Sequence, residues 1–117
     1  MKKREKGNLG ESIASLYLSL KGYKILKRNY TLKGGEIDII ASKNDEIVII
    51  EVKTRKNDNF GAPKEAVDKN KAKHIIYGTK VFLNKNFLFD KKVRFDIIEV
   101  YLPKLKINHI KHAFEIF

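Results

Sequence analysis

Residues 34–55 read Gly-Gly-Glu-Ile-Asp-Ile-Ile-Ala-Ser-Lys-Asn-Asp-Glu-Ile-Val-Ile-Ile-Glu-Val-Lys-Thr-Arg, and this stretch decides the fold. Two β-branched apolar runs flank a short polar break, which predicts a β-hairpin. Both runs are apolar on both faces, with Ile37 and Ile39 expected on one face and Asp38 and Ile40 on the other. That pattern is typical of central strands that are covered on both sides.

Charged residues interrupt both apolar runs of the predicted hairpin. A two-residue or four-residue loop centred on residues 44–45 would place Asp38 opposite Glu51, and Glu36 opposite Lys53. Two opposed carboxylates repel each other unless a cation lies between them or one of them binds a proton. Because Mg²⁺ and Mn²⁺ prefer oxygen ligands, the opposed pair predicts a divalent metal site.

The charge of the chain favours a polyanionic partner. The sequence has 117 residues, which predicts a single domain over residues 1–117. Its formal net charge is +11 and its pI is about 9.8, as expected for a protein that binds nucleic acid or an anionic membrane surface. Most of the basic residues are lysines, so a lysine-rich genome bias is the alternative explanation. We expect no membrane association, because no predicted helix has a bulky apolar face.

The sequence contains no cysteine, which limits the kinds of covalent bond, catalysis and metal site that the protein can form. It excludes disulfides, thiolate catalysis and cysteine-based zinc sites, and it agrees with a reducing cytoplasm. The basic N-terminus leads into no apolar segment, so we expect no secretory signal, and no apolar run approaches the ~20 residues of a membrane span. The histidines lie on different predicted elements without metal-ligand spacing, which argues against a zinc site of His74, His109 and His112.

The order of predicted elements is α-β-β-β-α-β, followed by a short last strand. Helical spacing predicts a first helix over residues 8–21, with Asn8 as its N-cap and Glu11 in a capping box. A second helix is predicted from Pro63 to about Asn84, with Val67 among its apolar residues. The other predicted strands cover residues 23–30, 93–102 and 105–110. This order predicts a mixed sheet with helices on both sides.

Asp38 followed by Glu51-Val52-Lys53 resembles the PD-(D/E)XK nuclease pattern, with Glu36 and Ile37 before Asp38 where that pattern has proline. The chain more closely resembles the YraN family of bacterial proteins. That resemblance is carried by residues 34–40, 48–55, 60–67 and 94–98. The family is regarded as related in fold to archaeal Holliday junction resolvases, whose Lys-Gly-x-x-x-Glu start is similar to residues 6–11. The resemblance implies a restriction-endonuclease-like α/β fold, in which a mixed β-sheet with an α-β-β-β-α-β core is flanked by helices.

The resemblance also implies a catalytic set of Glu11, Asp38, Glu51 and Lys53. Asp38 and Glu51 would bind Mg²⁺ or Mn²⁺ together with the Val52 carbonyl, and Glu11 would bind it directly or through water. The metal would activate a water for attack on a phosphodiester. Lys53 would orient that water or stabilise the developing charge.

More peripheral roles follow from the same resemblance. Arg55 and Lys71 would contact backbone phosphates, and Glu36 would face Lys53 and hold its rotamer. Junction resolvases act as dimers, and the surplus of phenylalanines leaves open a homodimer contact here, formed by Phe87, Phe89, Phe114 and Phe117.

The sequence therefore predicts a cytoplasmic, metal-dependent nuclease that cleaves structured or branched DNA. One alternative is a cross-strand ion-pair cluster without chemistry, although it would leave an excess of negative charge inside the sheet. The other is a non-catalytic nucleic-acid-binding protein that keeps the nuclease fold. The substrate is left open between junction, flap, duplex and single strand, because no base-reading motif is visible.

Overall fold

The computed structural model describes residues 3–61 and 67–114, with side chains from Gly7 onward. Its elements are α1 (Lys3–Leu20), β1 (Lys24–Leu32), β2 (Gly35–Lys43), β3 (Glu46–Lys56), a short 3-10 helix (Asn57–Asn59), α2 (Lys69–Lys85), β4 (Lys92–Leu102) and β5 (Lys106–Ile110). The predicted α-β-β-β-α-β order is confirmed, and β5 is the additional strand. None of the helices within the described ranges is long and apolar enough to span a membrane.

The five strands form one mixed sheet in the order β1-β2-β3-β4-β5. β3 and β4 are parallel, and the other neighbours are antiparallel. Ala14 and Leu18 of α1 pack on one face of the sheet, while Ile75 and Phe82 of α2 pack on the other. The predicted mixed sheet with helices on both sides is therefore confirmed.

The hairpin of β2 and β3 adopts the predicted register over the part nearest its turn. Asn44 and Asp45 both have positive φ angles, of 51° and 66°, as a two-residue type I′ turn requires. The ladder runs from this turn to Ile39, which lies opposite Ile50. It stops there, one pair before Asp38 would meet a partner.

The side chains of β2 do not alternate strictly between the two faces. Ile37 and Ile40 pack with α2, whereas Ile39 packs with α1. The prediction that Ile37 and Ile39 share a face is therefore wrong. The break falls at Asp38, whose Oδ2 accepts a hydrogen bond from the backbone N–H of Val52 at 2.8 Å. Asp38 thus turns into the gap between β2 and β3 and satisfies a backbone donor of β3.

The first helix begins earlier than its sequence suggests. It starts at Lys3, so the prediction that Asn8 is its N-cap and that Glu11 completes a capping box is wrong. Both residues lie inside the helix, beyond the first turn whose N–H groups need a capping partner. The Glu11 side chain is directed instead toward the first residues of β2, as described below.

The second helix begins later than predicted within the described residues. Asp68 is its N-cap and accepts a hydrogen bond from the Lys71 backbone N–H at 2.9 Å. Val67 precedes the helix, contrary to prediction, because the cap fixes the start at the following residue, Lys69. The predicted start at Pro63 lies outside the described residues.

A glycine in α1 allows this helix to approach the sheet closely. A Cβ at Gly10 would overlap the side chain of Thr54 on β3. The absence of a side chain therefore lets the two backbones come together at this point. The next residue, Glu11, is held beside the site where β2 leaves the ladder.

Candidate metal and catalytic site

Three carboxylates meet where β2 and β3 separate. Glu11 comes from α1, and Glu36 and Asp38 come from β2. One oxygen of each carboxylate lies within 4.8 Å of the others. Within residues 3–61 and 67–114, this is the one group of three or more potential metal-ligating side chains that lie this close. Acidic oxygens from two elements therefore converge on one point.

Burial and the neighbouring negative charges raise the pKa values of two carboxylates in this group. Burial and, secondarily, the charge of Glu51 raise the pKa of Asp38 to about 8. Burial also raises the pKa of Glu11, and its hydrogen bond with Asp38 opposes that rise. The pair therefore retains a proton near neutral pH. A divalent cation would displace this proton and neutralise the repulsion, so the donor set fits Mg²⁺ or Mn²⁺.

Asn29 of β1 reaches the same carboxylates, and the sequence prediction did not include it. With its amide nitrogen turned toward them, it donates to Glu36 Oε1 at 3.0 Å and to Glu11 Oε2 at 2.7 Å. Its backbone has a φ of 51°, a conformation that asparagine tolerates better than most residues. The one available signal was an asparagine within a strand, where it is disfavoured.

Glu36 lies with the other carboxylates and not in the predicted pair with Lys53. Its ladder partner is Thr31 of β1, whose hydroxyl donates to Glu36 Oε2 at 3.4 Å. The β2–β3 ladder ends before it reaches Glu36, because the strands separate at Asp38. Lys53 is half-buried on β3 and lies beside Glu99 of the parallel strand β4.

Glu51 lies at the edge of the carboxylate group and is bound by a lysine. It is buried, and its Oε1 accepts a hydrogen bond from Lys71 Nζ of α2. Burial lowers the pKa of Lys71, but the hydrogen bond to Glu51 and the nearby negative charges outweigh it, so the net shift is upward. The Lys71 ammonium is engaged with Glu51, which lines the same cavity as Glu11 and Asp38, and its contact with a backbone phosphate stays a prediction.

Arg55 is held in place by a buried acid of β4. Its Nε donates to Glu99 Oε2 at 2.5 Å, and Glu99 Oε1 accepts a hydrogen bond from Asn108 Nδ2 at 2.8 Å. Arg55 also lines the cavity that contains the carboxylates. Its position is therefore fixed beside the site, and its contact with a backbone phosphate stays a prediction.

A second acidic centre lies inside the fold, around Asp96 of β4. Asp96 is fully buried and accepts hydrogen bonds from Arg94 Nε at 2.9 Å and Nη2 at 3.0 Å, and from the His112 backbone N–H at 3.2 Å. His109 Nε2 lies 2.7 Å from the same carboxylate. Burial raises the pKa of Asp96, but these donors outweigh it and the net shift is downward. His109 thus has a structural partner, Asp96, that no local sequence pattern indicates.

Comparisons with known proteins place the chain in a family. The sequence pattern of "Uncharacterised protein family UPF0102" matches residues 10–100. A UPF0102 protein of Clostridioides difficile (strain 630) is 52% identical over 114 residues, covering 97% of this chain and 100% of that protein. A UPF0102 protein of Caldanaerobacter subterraneus subsp. tengcongensis is 50% identical over 117 residues, covering 96% of each. The chain belongs to the UPF0102 family, as its resemblance to the YraN family predicts.

One solved structure is similar to part of this architecture. The crystal structure of SSO0001 aligns with 93% of this chain and 52% of that chain, at 18% identity and a TM-score of 0.38. A likeness of this size carries no argument about the site or its chemistry.

Proposed function

We propose that this UPF0102 protein is a Mg²⁺- or Mn²⁺-dependent nuclease that hydrolyses phosphodiester bonds in structured or branched DNA. The observation that carries the proposal is the convergence of Glu11, Glu36 and Asp38 on one point with a raised Asp38 pKa. Perturbed carboxylates in a cleft are a feature of functional sites. Phosphodiester hydrolysis is a reaction for which a bound divalent cation is suited.

The carboxylates would hold the metal, and the cation would polarise the phosphate and lower the pKa of a bound water. Asp38 is the central ligand, because its Oδ2 is already oriented by the Val52 backbone N–H. Glu11 lies beside it through the close packing of α1 on β3 at Gly10. Asn29 spans Glu11 and Glu36 and keeps their oxygens directed to the same point.

Positive side chains of β3 and α2 would stabilise the charge that develops on the transferred phosphoryl group. Lys53 lies on β3 two residues beyond Glu51, where it would orient the attacking water or stabilise that charge. Lys71 adds a second ammonium through its bond with Glu51. If Glu51 becomes a metal ligand as predicted, the Lys71 ammonium is released toward the substrate phosphate.

The charge of the whole chain supports a polyanionic substrate. The formal net charge is +11, and α2 presents exposed lysines at positions 69, 73 and 80. Lysines on a helix face neutralise backbone phosphates and release counterions, without reading base sequence. We therefore propose DNA recognised by shape and backbone.

The test is metal titration together with cleavage. Wild type, Asp38→Asn and Glu11→Gln are titrated with Mg²⁺ and Mn²⁺ by calorimetry, and each is incubated with labelled four-way junction, flap, duplex and single-stranded DNA. Asp90→Asn is the matched control. It removes one exposed carboxylate next to Lys91, whose Nζ is bonded to Asp45 at the hairpin turn, away from the site.

The expected result is saturable metal binding and cleavage in wild type and Asp90→Asn, with both reduced by at least about 100-fold in Asp38→Asn. Metal binding without cleavage of any DNA in the panel would contradict a nuclease of this substrate class. DNA binding without metal binding would instead support the non-catalytic nucleic-acid-binding protein as the function.

A further inference from the structure

A cavity of about 1070 Å³ opens directly beside the carboxylates. Its lining includes four apolar residues: Leu9, Val52, Leu102 and Pro103. Glu11, Asp38 and Glu51 line the same cavity. Small-molecule sites typically occupy about 300–1,000 Å³ and combine an apolar lining with a few polar groups. A partly apolar cavity that is more than large enough for a nucleobase is therefore continuous with the proposed metal site.

Hydrogen bonds hold one wall of this cavity in place. Asn57 Nδ2 donates to the Lys104 carbonyl at 2.6 Å, and the Lys104 backbone N–H donates to Asn57 Oδ1 at 2.8 Å. These two bonds tie the segment after β3 to the β4–β5 turn, which contains Pro103. Leu9 of α1 also lines the cavity, and α1 is fixed next to it where the helix packs on Thr54 at Gly10. The apolar walls are therefore positioned before any ligand binds.

The chemistry of the cavity restricts what can occupy it. Besides its acids, which include Asp58, the lining carries the basic residues Arg55 and Lys56 next to the apolar residues. With the proposed divalent cation bound by the carboxylates, the cavity suits an occupant that has an apolar body attached to an anion. A nucleobase has two apolar faces and is linked to a phosphate, so it satisfies both conditions. In continuous duplex DNA those faces are covered by stacked neighbours, and only an unpaired, unstacked base can present them to a protein pocket.

We propose that this cavity binds one unpaired nucleobase next to the phosphate that is cleaved. The substrate class is then DNA with an unpaired nucleotide at the cleavage point, and not continuous duplex. The assignment of the neighbouring phosphate rests on the proposed nuclease function. Binding of the base itself requires no catalysis, so the two proposals can fail separately.

Equilibrium binding measures the proposed subsite directly. Three labelled DNAs are compared by fluorescence anisotropy with Ca²⁺ in place of Mg²⁺: a fully paired duplex, the same duplex with one unpaired adenine, and the same duplex with an abasic unpaired residue. Replacement of the adenine by 2-aminopurine reports the environment of the base. We expect the unpaired adenine to bind about tenfold more tightly than either other DNA, with a change in 2-aminopurine emission.

Two variants change the cavity in different ways, and a third is their control. Gly7 lines the cavity, and a Cβ there would have no atom within 4 Å, so Gly7→Leu fills the space without a clash at Cβ. Leu9→Ser removes an apolar wall that is 39% exposed. Leu16→Ser makes the same change on α1 at a position that is 62% exposed and does not line the cavity. We expect Gly7→Leu and Leu9→Ser to lose the tenfold preference and Leu16→Ser to keep it.

The outcomes separate the subsite from the nuclease. Equal affinity for the adenine and abasic DNAs, or an unchanged preference in Gly7→Leu and Leu9→Ser, overturns the subsite even if wild type cleaves DNA. A base preference that both variants lose supports the subsite even if no DNA is cleaved, in which case the nuclease proposal fails alone. The absence of saturable binding to all three DNAs at low salt overturns the subsite.

Discussion

Two aspartates of the sheet, the half-buried Asp38 on β2 and the buried Asp96 on β4, have opposite electrostatic environments. Asp96 is surrounded by donors from Arg94, His109 and the His112 backbone, and its pKa is lowered although it is fully buried. Asp38 has one backbone donor and three acidic neighbours, Glu51, Glu11 and Glu36, and burial together with the charge of Glu51 raises its pKa to about 8. Burial acts in the same direction on both, so the partners decide the difference.

The comparison separates a structural acid from a functional one. The donors around Asp96 compensate its charge within the protein, which joins β4 to β5 and to the turn after it. The group around Asp38 is not compensated by the described residues of the fold, and a cation from solution would complete it. An acidic group that the fold leaves unbalanced reduces stability, which is a frequent property of functional sites.

The largest expected effect is the loss of the Asp96 charge. Asp96→Asn leaves Arg94, a half-buried guanidinium, with only the longer 3.3 Å ion pair to Glu46, and the free energy of unfolding should fall by about 3–5 kcal/mol. Urea denaturation at neutral pH measures it, with the exposed Asp90→Asn as the control. A loss below about 1 kcal/mol would show that the Asp96 network contributes little to stability.

The corresponding change at Asp38 should have the opposite sign. Asp38→Asn keeps an oxygen for the Val52 N–H but removes the charge that Glu11 and Glu51 repel. In the presence of a chelator at pH 8, the free energy of unfolding should rise by about 1–3 kcal/mol. The same urea titration measures this gain. A lower stability of Asp38→Asn under these conditions would contradict the prediction. It would mean that other groups in the protein compensate the negative charge of Asp38.

The pH dependence of stability provides a third test of the contrast. The raised pKa of Asp38 means that the folded state binds a proton that the unfolded state releases, so its contribution is complete below about pH 4 and is lost as pH rises to about 8. The lowered pKa of Asp96 acts inversely, and its contribution is lost only as pH falls below its ordinary value of 3.8.

Between pH 5 and 8 the metal-free protein should therefore lose up to about 4 kcal/mol through Asp38. Thermal unfolding of wild type and Asp38→Asn in chelator checks this, because the difference between them should grow with pH over that range. A constant difference would contradict the assignment of the raised pKa to Asp38.

The sequence predicted the regular part of this structure and not its irregular points. Alternation of apolar residues and the polar residues 44–45 were sufficient for the hairpin and its register, because both are local signals. The break at Asp38 depends on a hydrogen bond between its side chain and the Val52 backbone of another strand, which no local pattern encodes. Asn29 has a positive φ within a strand for the same reason, since its side chain contacts α1 and β2.

The candidate site was predicted in part, for a related reason. The acidic residues of the hairpin were identified from the sequence, because a charge inside an apolar strand is costly to bury unless it has a partner. The binding of Glu51 by Lys71, and of Asp96 by His109, joins residues that are distant in the sequence, 20 and 13 positions apart. Only the assembled sheet brings those pairs together, and they decide which acids are compensated.

The smallest expected effect concerns the outermost bond of the Asp96 network. Tyr17 OH lies 3.0 Å from His109 Nδ1, and burial raises the pKa of Tyr17, so its hydroxyl keeps its proton and donates it. His109 then carries its own proton on Nε2, which donates to Asp96.

Tyr17→Phe removes one neutral hydrogen bond and should lower the free energy of unfolding by about 0.5–1.5 kcal/mol, as measured by urea denaturation. The same change at the exposed Tyr77 should leave the stability unchanged. Because Asp96 keeps Arg94 and His109, the loss should be well below that of Asp96→Asn. Equal losses in the two variants would mean that the tyrosine hydroxyl, and not the charge pair, organises this centre.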